Sequence, residues 1–594
     1  MTPERRRLLA RRTEAGTIFA GLLVAAILGK LFVEQVPLRS ARLALGDRIV
    51  PGQPPEDGEP GPIYSLDREL LARSVVRHAL CADPQAFKSD DERAKVAQLL
   101  SGATGAPIQS FYPRLCQEKS QFCYIARQLA PEVVAAVGKV VKDNKLEGIF
   151  IRPEYGRVYP QGLLAANLIG RRGIDNLGLT GIEGLWGFCL DGKPSSRRIN
   201  VDASGQTIIG PDIPFVPAEP GCRVTLTLRL PLQKVVEAAM DDLVRKHHPL
   251  AATCTVLNPQ NGEILAAAVR PTFNPNDART AQPEDFLCRT AGDVYEPGST
   301  FKAAVVAAAL DAGVITPSST FVCTGTTTIG GRPLHCWGEW ATNGGHHTLT
   351  PPEIIAKSCN LGAAQIALRL GKRVLYQYLE RMRIFEYDDR RRVYRDLRGD
   401  ELYDTLASGL DGERPAYVPP VRGLRRRDQA NMGFGQGVYL TDLHLLAIYG
   451  AVANRGTYYY PNVVREVRTA TGRLVRRREP LKAYRLFKPE TSATMLSFLE
   501  GAVQHGTGAA ATIPGLRIGG KTGTAQIYDW KIGGFLPNEY VMSFIAIAPI
   551  EAPRFVVLCR VTRPAYGAHG SDTALPVVKQ VLAAALRLED EMGV

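Results

Sequence analysis

The stretch Glu296-Pro297-Gly298-Ser299-Thr300-Phe301-Lys302 decides how the rest of the chain is read. Pro and Gly interrupt the backbone, and an apolar, alanine-rich run follows as far as Gly313, a residue suited to a helix C-terminal cap. The pattern predicts a helix that starts at Ser299 and carries Lys302 one turn later on the same face. A serine hydroxyl is a poor nucleophile until a base takes its proton. A lysine can be that base only where burial and neighbouring cations lower its pKa. The helix start supplies backbone N–H groups and positive potential for a developing oxyanion. Taken alone, Ser-x-x-Lys also describes a capping serine followed by a surface lysine.

Two more short motifs follow in order. Ser358-Cys359-Asn360 falls in a stretch expected to be helical from 352 to 370. There a second hydroxyl near Lys302 could relay a proton to a leaving amine, and an amide could hold the substrate's own amide. Lys521-Thr522-Gly523-Thr524 reads as part of a strand at the edge of a sheet. Lys521 and Thr522 could bind a carboxylate, and Gly523 would let substrate backbone come close. Each motif alone fits an ordinary helix surface or turn; their order along one chain carries the information.

The flanking pattern supplies a scaffold. Residues 224–228 alternate with period two, and an amphipathic helix is expected over 231–246. Strands are expected over 252–257 and 263–269, joined by the hairpin turn Asn258-Pro259-Gln260-Asn261-Gly262. Another strand pair, 540–548 and 554–561, precedes a final helix over 574–588. Strands at both ends with helices between predict one α+β domain whose sheet joins distant chain segments. Ahead of it, 64–221 mixes helical stretches, such as 126–144, with short strands, and reads as a spacer or docking module. Residues 49–63 read as a loop or linker, and 385–430 as a charged surface insertion.

The 594 residues suggest several domains, and 45% hydrophobic with 22% charged residues excludes a disordered chain. The net charge of +13 favours anionic partners. Arginine clusters at 425–427 and 476–478 lack zinc-finger spacing or an RNA-binding aromatic signature, so they read as solvated faces and no nucleic-acid partner is expected. Arg5, Arg6, Arg7, Arg11 and Arg12 precede an apolar run over 17–33 that only Lys30 interrupts. That length sits at the lower limit for crossing ~30 Å of hydrocarbon. No clean small-x-small cleavage site follows, so the run is expected to be an uncleaved anchor with the arginines inside and the chain from about residue 34 outside.

All 11 cysteines lie beyond that anchor, where disulfides persist, and the odd count leaves at least one unpaired. Cys323 with Cys336, and Cys116 with Cys123, could be bridges or buried free thiols. His346 and His347 follow Cys336, but their spacing matches no standard zinc pattern, so no metal is expected.

The three motifs in this order are the set found in penicillin-binding proteins and class A β-lactamases. The wider strings at 294–302 (VYEPGSTFK), 344–361 (GGHHTLTPPEIIAKSCNL), 433–441 (GFGQGVYLT), 449–456 (YGAVANRG), 506–508 (GTG) and 519–526 (GGKTGTAQ) resemble class B penicillin-binding proteins. Residues 122–131 (FCYIARQLAP), 157–162 (RVYPQG) and 181–183 resemble that family's non-catalytic pedestal. The resemblance implies a cytoplasmic tail over 1–16, a transmembrane anchor over 17–33, an elongated pedestal over 34–221, and a transpeptidase domain over 222–594 with a five-stranded sheet and flanking helices.

It also implies that Ser299 attacks the D-Ala–D-Ala carbonyl of a peptidoglycan stem peptide, with Lys302 as base, Ser358 as proton relay and Asn360 orienting substrate. Lys521 and Thr522 would grip the terminal carboxylate, and the N–H groups of Ser299 and Thr524 would form the oxyanion hole. No cofactor is implied. The implied partners are stem peptides, β-lactams as covalent inhibitors, the membrane, a polytopic glycosyltransferase and other division proteins. The pedestal strings look more like the division type than the elongation type. Two departures stand out. Residues 63–72 (IYSLDRELLA) only partly match the family's Arg-Gly-x-Ile-x-Asp-Arg-Asn-Gly string, and 385–430 lacks its usual glycine-rich passage.

A β-lactamase or D,D-carboxypeptidase of the same fold is the alternative, but a pedestal and an anchor are superfluous for hydrolysis. A non-enzymatic scaffold would not need intact catalytic residues, and a β-lactam sensor would need a cytoplasmic signalling module. Of the acidic residues between the second and third motifs, such as Glu401 and Asp404, spacing marks none as a positioned hydrolytic base.

Overall fold

The structure is a computed structural model that describes residues 57–592, apart from 118–119, 121, 198–199, 202–206, 209–214, 389–392, 396–407, 478–482, 530–531 and 568. The expected tail and anchor, together with Glu401 and Asp404, lie outside the described residues. No helix among the described residues is long and apolar enough to cross a membrane.

The chain divides into two units. One, within 1–59 and 192–220, carries two short antiparallel strand pairs, Ser196–Arg197 with Phe215–Val216 and Asn200–Val201 with Thr207–Ile208. The other, 60–191 and 221–594, contains the two main sheets and all the motifs.

The first of these sheets has seven strands. Its long central strand, Leu70–Ala82, pairs with Ile63–Tyr64, Cys123–Leu129 and Ile149–Val158. Arg223–Leu226 joins it through a parallel pairing with Ile63–Tyr64 and an antiparallel one with Val464–Arg468. The period-two segment at 224–228 therefore closes this sheet instead of opening the catalytic one. The expected helix over 126–144 is also divided. Aromatic and β-branched residues put Cys123–Leu129 into the sheet, and Pro131, at a first helical position that needs no N–H partner, starts the helix Pro131–Asp143. Beside this sheet the carboxylate of Glu183 is fully buried and accepts from Arg157 Nε and Arg172 Nε, both at 2.6 Å.

The second sheet is built from both ends of the second half of the chain, as the strand pattern predicts. Its strands are β1 (Ala251–Leu257), β2 (Ile264–Arg270), β3 (Gly519–Asp529), β4 (Gly534–Ala548) and β5 (Phe555–Thr562). They run in the order β2-β1-β5-β4-β3, antiparallel throughout. β1 and β2 are buried at every position, so they read as continuous apolar runs rather than alternating ones. The helices that matter are α1 (Leu230–His247), α2 (Lys302–Asp311), α3 (Pro351–Ala356), α4 (Asn360–Leu370), α5 (Asp442–Ala453), α6 (Pro489–His505) and α7 (Ala574–Met592).

One face of the sheet packs on α1 and α7 through Val236, Met240, Val578 and Leu582. The opposite face packs on the helical half that holds α2, α4 and α5. α5 is buried along its whole length, which fits a helix apolar all round. The described part of the 385–430 segment is not wholly irregular: Ile384–Asp388 pairs with Val393–Arg395 and with Ala416–Val418.

Candidate active site

Ser299 lies where the sequence pattern puts it, in a 3₁₀ turn, Gly298–Phe301, that leads directly into α2. Gly298 has a φ of +56°, and a Cβ there would press on the Thr524 carbonyl oxygen and Ala525 at 3.1 Å. Glycine is needed for both reasons. The turn is held from behind: Gly298 N–H donates to Gly435 O at 3.2 Å, Gly437 N–H donates to the Glu296 carboxylate at 2.7 Å, and the Tyr449 hydroxyl donates to Thr300 O at 2.7 Å. These contacts give a physical role to the strings around 433–441 and 449–456.

Lys302 is completely buried, and its Nζ donates to Ser299 Oγ at 2.7 Å, Ser358 O at 2.8 Å, Asn360 Oδ1 at 2.8 Å and Ser358 Oγ at 3.1 Å. Burial disfavours its charged form and pulls its pKa down to about 8. The second motif does not sit in an uninterrupted helix. α3 ends at Ala356, Ser358 takes a left-handed φ of +55°, and α4 restarts at Asn360. The break is what lets the carbonyl and hydroxyl of Ser358 both reach Lys302, which a continuous helix, with its carbonyls bonded along the axis, would not permit.

The third motif occupies β3, at the edge of the sheet, as expected. Alternation along the strand separates its residues. Lys521 is fully buried, and its Nζ donates to Ser358 Oγ at 3.0 Å and Thr522 O at 3.1 Å. Burial, and then the charge of Lys302, lower its pKa well below the ordinary lysine value. Thr522 and Thr524 line a cleft of about 990 Å³ together with Ser299, Ser358 and Asn360. The space at Gly523 faces the Ser543 hydroxyl, Thr300 and the Pro297 carbonyl. The absent side chain thus admits the nucleophile's own turn, where the sequence reading expected it to admit substrate backbone.

The structure therefore brings Ser299, Lys302, Ser358, Asn360, Lys521 and Thr522 into one hydrogen-bonded group and places Thr524 on the same cleft. Sequence reasoning missed Thr507, whose hydroxyl lies 2.9 Å from that of Thr522. Its Gly-Thr-Gly string was the available signal. The far wall of the cleft, Trp337, Gly338 and Glu339, comes from the loop that follows Cys336.

All 11 cysteines are free thiols, so neither Cys323–Cys336 nor Cys116–Cys123 is a bridge. Against the expectation of no metal-ligand set, the fold brings Cys323, Cys336, His346 and Cys359 together, with their ligand atoms all within 4.8 Å of one another. The sequence spacing concealed this because each ligand comes from a different element.

Comparison with known proteins matches two families in sequence. The Penicillin binding protein transpeptidase domain matches residues 252–583, and the Penicillin-binding Protein dimerisation domain matches 55–226. Stage V sporulation protein D of Bacillus subtilis is 30% identical over 80% of this chain and 72% of its own. Peptidoglycan D,D-transpeptidase FtsI of Escherichia coli is 28% identical over 89% of this chain and 83% of its own. Penicillin binding protein 3 from Mycobacterium tuberculosis, in complex with aztreonam, superposes with a TM-score of 0.67, covering 90% of this chain and 97% of that one. At 21% identity that likeness speaks for the fold.

Proposed function

Since the chain belongs to the class B penicillin-binding proteins and is a serine-type peptidoglycan D,D-transpeptidase, we propose that Ser299 is its nucleophile and Lys302 its general base. The observation that carries this assignment is the 2.7 Å bond between Ser299 Oγ and a lysine with no carboxylate partner among the described residues. Neutral Lys302 takes the hydroxyl proton as Ser299 Oγ attacks the penultimate D-Ala carbonyl of the donor stem peptide. The N–H groups of Ser299 and Thr524 receive the oxyanion. Ser358, bonded to both lysines, passes a proton to the departing D-Ala nitrogen. An acceptor amine then attacks the ester, the same groups run in reverse, and Ser299 is released.

Asn360 gives its amide oxygen to Lys302, which leaves its amide N–H₂ for the substrate. For the donor carboxylate, Thr522 and Thr524 provide hydroxyls at the cleft surface, and Lys521 provides N–H donors directly behind Thr522. β-Lactams acylate the same serine. The same proposal includes a tail over 1–16, a single-pass anchor over 17–33, a pedestal over 34–221 and a transpeptidase domain over 222–594, and the arginine-flanked apolar run over 17–33 supports chemistry outside the cytoplasmic membrane. A septal role is consistent with the relative FtsI, and a polytopic glycosyltransferase and other division proteins belong to the proposal as its partners.

The test is a reaction of the full chain with donor and acceptor stem peptides, followed by benzylpenicillin and intact-protein mass spectrometry over hours. Cross-linked product and a stoichiometric, slowly released penicilloyl adduct on Ser299 are expected. Many penicillin turnovers per chain within minutes, with water as the only acceptor, would contradict it.

A further inference from the structure

Cys359 stands between Ser358 and Asn360, and its thiol points away from the cleft into a second buried cluster. Exposure falls to 1% for Cys323, 6% for Cys336, 5% for His346 and 0% for Cys359. Four such groups rarely gather in an interior without a common partner. His346 Nδ1 lies 3.6 Å from Cys323 Sγ and 3.5 Å from Cys336 Sγ, and Cys336 Sγ lies 3.9 Å from Cys359 Sγ. Zinc holds sulfur at about 2.3 Å and imidazole nitrogen at about 2.0–2.1 Å. A tetrahedron with those radii has sulfur–nitrogen edges of about 3.5 Å and sulfur–sulfur edges of about 3.8 Å. We infer that Cys323, Cys336, His346 and Cys359 form a structural zinc site that fastens one wall of the catalytic cleft to the Ser358–Asn360 motif.

The surrounding backbone is shaped for this convergence. Cys323 ends the strand Phe321–Cys323, which pairs with His347–Leu349 in a register that sets Cys323 opposite His347, next to His346. A Cβ at Gly345 would lie 2.2 Å from the Cys323 carbonyl oxygen, so only glycine allows the two ligand segments this close. Cys336 N–H donates to Gly325 O at 2.8 Å, which folds its hairpin back over the same point. Cys359 caps α4, where its sulfur accepts from Gly362 N–H at 3.3 Å, and a helix start favours a thiolate. The Trp340 ring stacks on His346 at 4.4 Å and orients the imidazole.

A disulfide could join only two of these groups and would leave a buried thiol and imidazole over. Three thiolates and one imidazole in a closed tetrahedral set select zinc over harder cations and leave no open position for catalysis. The ion's place is between two parts of the site. Trp337, next to Cys336, lines the cleft and donates from Nε1 to Lys357 O at 3.1 Å, while Cys359 carries a catalytic neighbour on each side.

The test is metal analysis of the full chain, purified without chelator, combined with cobalt substitution. About one zinc per chain is expected after gel filtration. Cobalt(II) exchange should give visible ligand-field bands of a tetrahedral site and a near-ultraviolet thiolate charge-transfer band. Cys336→Ser and His346→Ala should lose the zinc, while Cys189→Ser, outside the cluster, should keep it. Metal content below about a tenth of an equivalent after zinc addition, cobalt spectra of octahedral form, or a Cys323–Cys336 disulfide by peptide mass mapping would each overturn the proposal. The wild-type cobalt spectrum decides the matter even where a variant fails to fold, and it needs no transpeptidase assay.

Discussion

Two clusters of buried charge in the larger unit are built in opposite ways. Beside the seven-stranded sheet, Glu183 is gripped by the side chains of Arg157 and Arg172, and Arg172 also pairs with Asp191, so two carboxylates match two guanidinium groups. At the cleft, Lys302 and Lys521 are equally buried, share the Ser358 hydroxyl, and have no carboxylate within salt-bridge distance among the described residues. Pairing holds a group in one protonation state, which suits a frame. Withholding the partner makes protonation costly, which suits a base. The Glu183 cluster is thus charge-paired, whereas the two cleft lysines are hydrogen-bonded without a carboxylate.

The comparison breaks most sharply at Ser299. Ser299→Ala should keep the fold and take no penicillin label, and labelling that persists on another serine would remove Ser299 from its role. Lys302→Ala should come next, with acylation slower by ~10²–10⁴-fold, the usual range for loss of a general base. Stopped-flow acylation kinetics check it, and a loss of only a few-fold would shift the base elsewhere.

The satisfied cluster should respond in stability and not in chemistry. Glu183→Ala leaves buried Arg157 without a carboxylate and Arg172 with Asp191 alone, a change worth ~3–5 kcal/mol. The thermal midpoint should fall by on the order of 10 °C, while the acylation rate of the folded protein at low temperature stays unchanged. A slowed rate with an unmoved midpoint would reverse the roles given to the two clusters. The smallest of the substitution effects is expected at Lys521. Lys521→Ala should weaken carboxylate-bearing β-lactams by roughly 10–100-fold, the value of one charged hydrogen-bonding partner, and their carboxamides much less. Equal losses for both ligand forms would show that Lys521 does not act on the carboxylate.

Much of this contrast was legible in the sequence for one cluster and hidden for the other. Local punctuation marks the Ser299 turn, because Pro297 and Gly298 impose it and the alanine-rich run extends it. The catalytic sheet was legible from its apolar runs and its hairpin turn. The left-handed break at Ser358 was not, since Cys359 and Asn360 carry no strong helix-breaking signal and tertiary bonds to Lys302 decide the local backbone. Residues 224–228 announced a strand but not its partners, Ile63–Tyr64 and Val464–Arg468, which are remote in sequence. The Glu183 pairings and the Cys323, Cys336, His346 and Cys359 cluster have the same cause: residues that meet only in the fold leave no spacing to read.

The central claim, that burial without a carboxylate partner makes Lys302 a base, is tested most directly by the pH dependence of penicillin acylation. Only the neutral amine can accept the Ser299 proton, and the neutral fraction grows as pH rises through the folded-state pKa, which burial has lowered to about 8. The second-order acylation rate of the wild-type chain should therefore climb between pH 6 and 9 with an inflection near 8, and the residual rate of Lys302→Ala should lack that inflection. A wild-type rate that stays flat across this window, or an inflection that survives in Lys302→Ala, would contradict the account.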